Sequence, residues 1–427
     1  MKRQIIGIHE KPPLLKTIPL SLQHLTAMFG ATILVPILVG IDPAIVLLMN
    51  GIGTIIYSFV TKSGIPAYLG SSFAFISPTL LIIAVYGNFR YAQSGYIFFG
   101  LFFIAVSYFV KFYGLKWIDV VMPPVVMGSI VAIIGLELAP VAAQQAGFIP
   151  FPTPIGNIVP NFVFDKNTII ISTFTLFIGI FGSVLFKGFF QVIPILIAVI
   201  SGYIFALLIG MVDFSIVQKS DWLAIPKFYS PIFNLDAIII IAPACLVVLT
   251  EHISHLIVTG KITNEDLMKN PGLAKSLLGD GISNVISGFA GSTPNTTYGE
   301  NIGVMAISRV YSVWVIRIAA LFAILFSFIG KISALISSIP AAVMGGITIF
   351  LYGVIAVQGF RIFVEQKVDF SKNKNMVLGA VTLITGVSGA SLNIGSVQLK
   401  GMALAAVLGI LLSIVFYFLE KLNLINE

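Results

Sequence analysis

The sequence predicts an all-α polytopic membrane protein whose fourteen transmembrane segments form two inverted seven-segment repeats. Three observations predict it: the composition, the distribution of basic residues between successive loops, and a motif that occurs twice. Of 427 residues, 58% are apolar and only 10% are charged, and the mean hydropathy is +1.04. Soluble domains carry about 25% charged residues, so a lipid bilayer is the only common solvent that suits this chain. The net charge of +7 does not indicate nucleic acid. The basic residues sit in short loops between apolar runs, as membrane orientation requires. The single cysteine, Cys245, lies inside "IIIIAPACLVVL", which excludes a disulfide framework and a thiolate metal cluster. The opening "MKRQIIGIHEKPPLLKTIPL" is too polar for a cleaved signal peptide, so the first apolar segment is expected to be retained.

A spanning helix needs roughly 20 mainly apolar residues. Turn signals and loop charges place segments at 17–40, 43–61, 68–86, 92–111, 117–142, 167–187 and 190–211. The second seven fall at 236–259, 276–290, 294–308, 310–330, 339–360, 374–391 and 401–420. The third and tenth are too short and too rich in Gly, Ser, Thr and Pro for ordinary spanning helices. With the N-terminus in the cytoplasm, seventeen basic residues, from Lys2 and Arg3 through Arg309 to Lys421, fall on the cytoplasmic side. Only six (Arg90, Lys166, Lys219, Lys227, Lys331 and Lys400) fall on the other, and Arg317 lies inside a segment. A wrong count in mid-chain would scramble this asymmetry. Both termini are then expected in the cytoplasm.

The motif P-x-x-V-M-G runs from Pro123 to Gly128 and again from Pro340 to Gly345, in the fifth and twelfth segments. "GSSFAFISP" (Gly70 to Pro78) and "GSTPNTTYG" (Gly291 to Gly299) correspond more loosely in the third and tenth. A repeat with an odd number of crossings must place its copies in opposite orientations. Inverted repeats with broken elements at matching positions point to a secondary transporter. The bland alternative is that two glycine-rich apolar helices resemble one another by chance.

Ionisable residues within a membrane are costly and mark function by default. The candidates are Glu137, Glu251, Asp280 and Glu300, with His24, His252 and His255. Glu251 and His255, four apart in "VVLTEHISHLIV", share one helix face. They read either as a buried pair joining helices or as a ligand beside a group that titrates near neutral pH. The zincin order H-E-x-x-H is absent, because Glu251 precedes both histidines, and a metal is not expected. In "STPNTTYGENIG", Pro294, Gly299 and Gly303 interrupt the helix, which membrane depth tolerates only where protein buries the backbone or it lines a cavity. An extended piece leading into a half-helix at Glu300 would aim backbone N–H groups and a carboxylate at one midplane point. With "YLGSSFAF" facing it, the pocket combines carboxylate acceptors (Glu251, Glu300), backbone donors near Phe73 and Gly299, and the rings of Phe73 and Tyr298. That suits a small, flat, neutral solute with N–H and C=O edges. The competing reading is a re-entrant structural loop with no ligand.

At "TYGENIGVMAISR" the sequence resembles the signature of the nucleobase–ascorbate transporter family, carried here by Glu300, Asn301, Gly303, Ser308 and Arg309. Ser308 stands where the family usually has Thr. The likeness extends over nearly the whole chain, including "PPLLKTIPLSLQHLTAMFGATILVPILVG" and "IPAYLGSSFAFISP". It implies a core domain (1–113 and 230–335, segments 1–4 and 8–11) and a gate domain (114–215 and 336–427, segments 5–7 and 12–14). The third and tenth segments would hold short antiparallel strands. It further implies proton-coupled import of a nucleobase across the cytoplasmic membrane, with no organic cofactor. Glu251 and Glu300 would bind the ring, Phe73 and Gly299 would offer backbone contacts, and Tyr298 would line the site. His255, with Glu251, would join proton coupling, supported by His24, Asp280, Ser72 and Asn301. Relatives that carry purines often have Gln where this chain has Glu300, which favours uracil over xanthine or urate. Dimerisation through the gate domain is implied by the family alone. An anion exchanger or channel of the same fold is the remaining alternative, and the two midplane carboxylates argue against an anion.

Overall fold

A computed structural model describes residues 5–114, 116–150, 164–188, 190–394 and 397–425. Lys2 and Arg3, counted above as cytoplasmic, lie outside them. The N-terminal half runs α1 (Leu14–Val39), α2 (Pro43–Val60), β1 (Leu69–Ser71), α3 (Ile76–Tyr86), α4 (Ala92–Tyr113), α5 (Pro124–Gln145), α6 (Lys166–Leu185) and α7 (Pro194–Leu208). The C-terminal half runs α8 (Leu235–Thr263), α9 (Leu273–Ala290), β2 (Asn295–Thr297), α10 (Gly299–Ser308), α11 (Val313–Ser327) and α12 (Ala341–Glu365). It closes with α13 (Asn373–Val387), a hairpin of β3 (Ser391–Ile394) and β4 (Val397–Lys400), and α14 (Met402–Lys421). Short helices at Lys116–Val121, Ser215–Lys219 and Gly330–Ser337 lie in the connections. Among the described residues, eight helices are long and apolar enough to cross a membrane. The chain is therefore a mostly helical, multi-pass membrane protein.

Local chemistry sets the element ends. Asp42 caps α2 by accepting from the Ala44 amide at 2.9 Å, and Pro43 occupies the first helical position, where its missing N–H costs nothing. Asn234 caps α8 by accepting from the Ala237 amide at 2.9 Å. Arg317, the basic residue inside a segment, turns to the end of α2. Its guanidinium donates to Ser58 Oγ at 2.7 Å and Ser63 Oγ at 2.6 Å, and lies over the Phe59 ring at 4.7 Å. A cation there complements the negative end of the α2 dipole.

The two P-x-x-V-M-G helices, α5 and α12, pack against one another. A Cβ on Gly128 would meet the Phe363 ring and Gly359 O, and one on Gly135 would meet Tyr352 O at 2.1 Å. A Cβ on Gly345 would lie 2.2 Å from Ala146 N. Facing positions therefore rise on one helix as they fall on the other, so the pair is antiparallel. In lipid, small residues that let backbones approach are what hold such helices together. α4 and α9 repeat the device, with Gly100 against Gly281 O and Gly288 against Ile97.

Candidate functional site

Strands β1 and β2 pair antiparallel, with Leu69 opposite Thr297, Gly70 opposite Thr296 and Ser71 opposite Asn295. The Ser72 amide donates to Pro294 O at 2.9 Å and the Tyr298 amide to Tyr68 O at 3.1 Å, which completes the ladder at both ends. Each strand then turns into a helix: β1 through a tight turn at Phe73–Phe75 into α3, and β2 directly into α10. The amides of Phe73 and Gly299 therefore open helical turns rather than extend the sheet. Each end of the short ladder thus opens a half-helix, whose first-turn amides have no partner within the helix.

Glu300 is in the first turn of α10, where a carboxylate suits the positive end of the helix dipole. Helix α8 packs across both α10 and β2 and brings Glu251 close enough for the two carboxylates to interact electrostatically. Neither carboxylate is paired with a side chain or a cation among the described residues, and both are half-buried. His255 donates to, or accepts from, Thr297 Oγ1 through Nδ1 at 3.2 Å. Its Nε2 lies over Gly299, 3.1 Å from where a Cβ would stand. Glu251 and His255 thus share a face, as their spacing predicts, but the imidazole's hydrogen bond goes to strand β2 rather than to the glutamate.

The remaining predicted residues surround this point. Tyr298 is buried, and its hydroxyl donates to Ser71 O at 2.7 Å with the ring packed over Gly70. Its ring rather than its hydroxyl is the surface it can offer. Phe73 is half-buried and packs against two apolar clusters. Ser72 is buried with its Oγ unbonded. Asn301 donates through Nδ2 to His24 Nδ1 and His24 O, each at 3.1 Å, while its Oδ1 has no partner. Two buried polar oxygens without partners at the foot of half-helices are costly unless a further group serves them.

Asp280 does not face this point directly; it supports the strands from behind. Its carboxylate pairs with His252 Nδ1 at 2.9 Å, accepts from Asn284 Nδ2 at 2.9 Å, and meets Thr296 Oγ1 at 3.4 Å. His252 Nε2 continues to Ser276 Oγ at 2.7 Å, and Ser276 to Tyr57 OH at 2.6 Å. Asn284 also holds both backbone groups of Asn295, at 2.8 Å each. Sequence reasoning singled out Asp280 but gave His252, Ser276 and Asn284 no role. His252 directly follows Glu251, which turns it about 100° round the helix from that residue, and that offset was the available signal.

The chain matches the Permease family over residues 15–395. It is 54% identical over 425 residues to the uracil permease of Escherichia coli K12, covering 99% of this chain and 96% of that protein. The uracil permease of Paenibacillus larvae is 54% identical over 427 residues and all of both chains. That of Bacillus subtilis is 42% identical over 425 residues, covering 97% of this chain and 95% of that one. Among solved structures, the transmembrane domain of the cyanobacterial bicarbonate transporter BicA aligns with a TM-score of 0.66 at 20% identity, over 96% of this chain and 99% of that domain. Murine Slc26a9, an anion transporter captured inward-facing, aligns at 0.72 and 10% identity, over 96% of this chain and 69% of that one. At such identities these two establish the shared fold alone. By its sequence over nearly its full length, the chain belongs to the nucleobase–ascorbate family of membrane permeases.

Proposed function

We propose that this permease is a proton-coupled symporter that imports uracil across the cytoplasmic membrane by alternating access. The observation that carries the reading is a pair of carboxylates without side-chain partners among the described residues: Glu300 in the first turn of α10, and Glu251 on α8, which packs against α10, β2 and the Phe73–Phe75 turn. Uracil presents two N–H donors, which carboxylates accept, and two carbonyls, which the amides of Phe73 and Gly299 serve. The rings of Phe73 and Tyr298 cover its faces. The high identity to proteins named uracil permeases supports this solute over xanthine or urate.

In this reading, residues 1–113 and 230–335 form a core that carries the solute, and residues 114–215 and 336–427 form the gate against which it moves. Fourteen segments cross the bilayer with both termini in the cytoplasm, and the gate provides a surface for homodimerisation. A neutral solute needs a coupling ion for uphill uptake, and in this reading His255, one turn after Glu251 and bonded to Thr297 of β2, exchanges a proton. One charge crossing 100 mV supplies about 2.3 kcal/mol, enough for accumulation of tens-fold.

The test is uptake of radiolabelled uracil into proteoliposomes with and without an inward proton gradient, with xanthine and urate as competitors. Accumulation should require the gradient, and uracil alone should compete fully. His255→Ala should retain uracil binding but lose gradient-driven accumulation. Equal uptake without a gradient would point to a channel, and inhibition by bicarbonate or chloride to an anion exchanger.

A further inference from the structure

Glu137, on α5, is the one acidic residue picked out in the sequence that the site above does not use. Its Oε1 accepts from Ser77 Oγ of α3 at 2.7 Å, and its Oε2 accepts from the Met402 amide at the start of α14 at 3.0 Å. Gly401 (φ +55°) permits the second bond, since a Cβ there would lie 2.1 Å from Oε1. One carboxylate therefore ties α3 to α5 and α14. Ser77 is four residues after Phe73, one helical turn along the half-helix that leads from β1. On the core-and-gate division above, α3 belongs to the core, whereas α5 and α14 belong to the gate.

Beside this contact lies a cavity of about 390 Å³ whose walls come from both bodies: Ser77, Ala84 and Ala244 from one, Glu137, Gln144 and Lys400 from the other. Ala244 is on α8, seven residues and about two turns before Glu251. By the loop charges, this cavity is on the side away from the cytoplasm. In the alternating-access reading, it would be the outer approach to Glu251.

We propose that Glu137 is a positioning residue for transport, a latch through Ser77 that holds the solute-bearing half-helix against the gate and must release for the outer cavity to open. The proposal rests on the alternating-access reading. A charge-assisted bond between two bodies that move past one another cannot persist in both states, so it biases the equilibrium toward the state that contains it. Neither Ser77 nor Glu137 is among the groups assigned to the solute, so the bias is separable from affinity.

The experiment uses full-length protein carrying Ala244→Cys and Cys245→Ala, in right-side-out vesicles. The reaction rate with a membrane-impermeant maleimide reports opening of the outer cavity. Ser77→Ala and Glu137→Ala are each expected to raise that rate by about tenfold, the weight of one hydrogen bond to a charged acceptor. The double variant should react no faster than Glu137→Ala alone, because both remove the same bond. Uracil affinity of Ser77→Ala should stay within roughly twofold of the parent, with the uptake rate changed. Unchanged labelling in Ser77→Ala, or fully additive effects in the double variant, would overturn the latch. The labelling requires no uracil, so a parent that labels normally but neither binds nor transports uracil would sink the functional reading and leave the latch testable.

Discussion

Glu300→Gln changes almost nothing in size and everything in hydrogen-bond polarity. One carboxylate oxygen becomes an NH₂ donor at the start of α10, where Glu300 has no side-chain partner of its own to lose. If Glu300 accepts an N–H of uracil, the amide would set donor against donor across a desolvated gap. A bond to a charged acceptor contributes about 1.5–3 kcal/mol, and an unsatisfied buried donor adds its own penalty. Uracil affinity is expected to fall at least roughly tenfold, with the protein still folded and inserted, and direct binding to the purified variant measures it. A purely structural loop would tolerate Gln and keep its affinity. At this scale the sequence was most legible where a charge stood in an apolar run, as at Glu251, Glu300 and Asp280. It was least legible where meaning depended on the partner. Nothing in the one-dimensional order says that His252 finds Asp280 and Ser276 while His255, one turn on, finds Thr297.

Three-residue strands contribute little stability alone, so β1 and β2 must be held by what packs on them. Gly70 is the closest point, because a Cβ there would stand 2.3 Å from the Tyr298 ring. Gly70→Ala therefore forces that ring away and breaks its hydroxyl bond to Ser71 O. Overpacking of this kind costs about 1–3 kcal/mol, and the displaced ring is also a wall of the proposed solute pocket. Uracil affinity is expected to fall by about tenfold or more, with the thermal midpoint lowered, as a binding titration and a melt on the same preparation would record. Gly303→Ala, inside α10 where a Cβ meets nothing within 4 Å, is the contrasting variant and should not lower the thermal midpoint. The broken character of these two elements was readable from Pro294, Gly299 and the hydroxyl-rich runs, whereas Gly303, read as a third interruption, lies inside the continuous helix α10. Their pairing register was not, because it depends on segments more than 200 residues apart in sequence meeting around one local axis. The boundaries of α8 also ran past expectation, to Thr263 rather than 259, since Asn264 adopts the left-handed conformation that ends the helix only there.

For the whole molecule, the decisive geometry is the opposite run of matching helices. The glycine contacts make α5 and α12 antiparallel without reference to any membrane, which is what copies separated by an odd number of crossings require. Which faces look toward the cytoplasm is a separate matter, legible in the sequence through loop charges alone. Helix α8 tests it most sharply. Its 29 residues extend about 43 Å, more than the roughly 30 Å of a hydrocarbon core, long enough to bring its two ends out on opposite faces. Lys219 lies before this helix and Lys261 in its last turn, and both are exposed. Cys245 is buried and adds no background. Lys261→Cys is expected to react with an impermeant maleimide only from the cytoplasmic face, and Lys219→Cys only from the outer face. Reaction of both from one face would mean that α8 does not cross the bilayer. Reaction in the reversed sense would keep the fold but invert the protein, placing the Glu137 cavity on the cytoplasmic side.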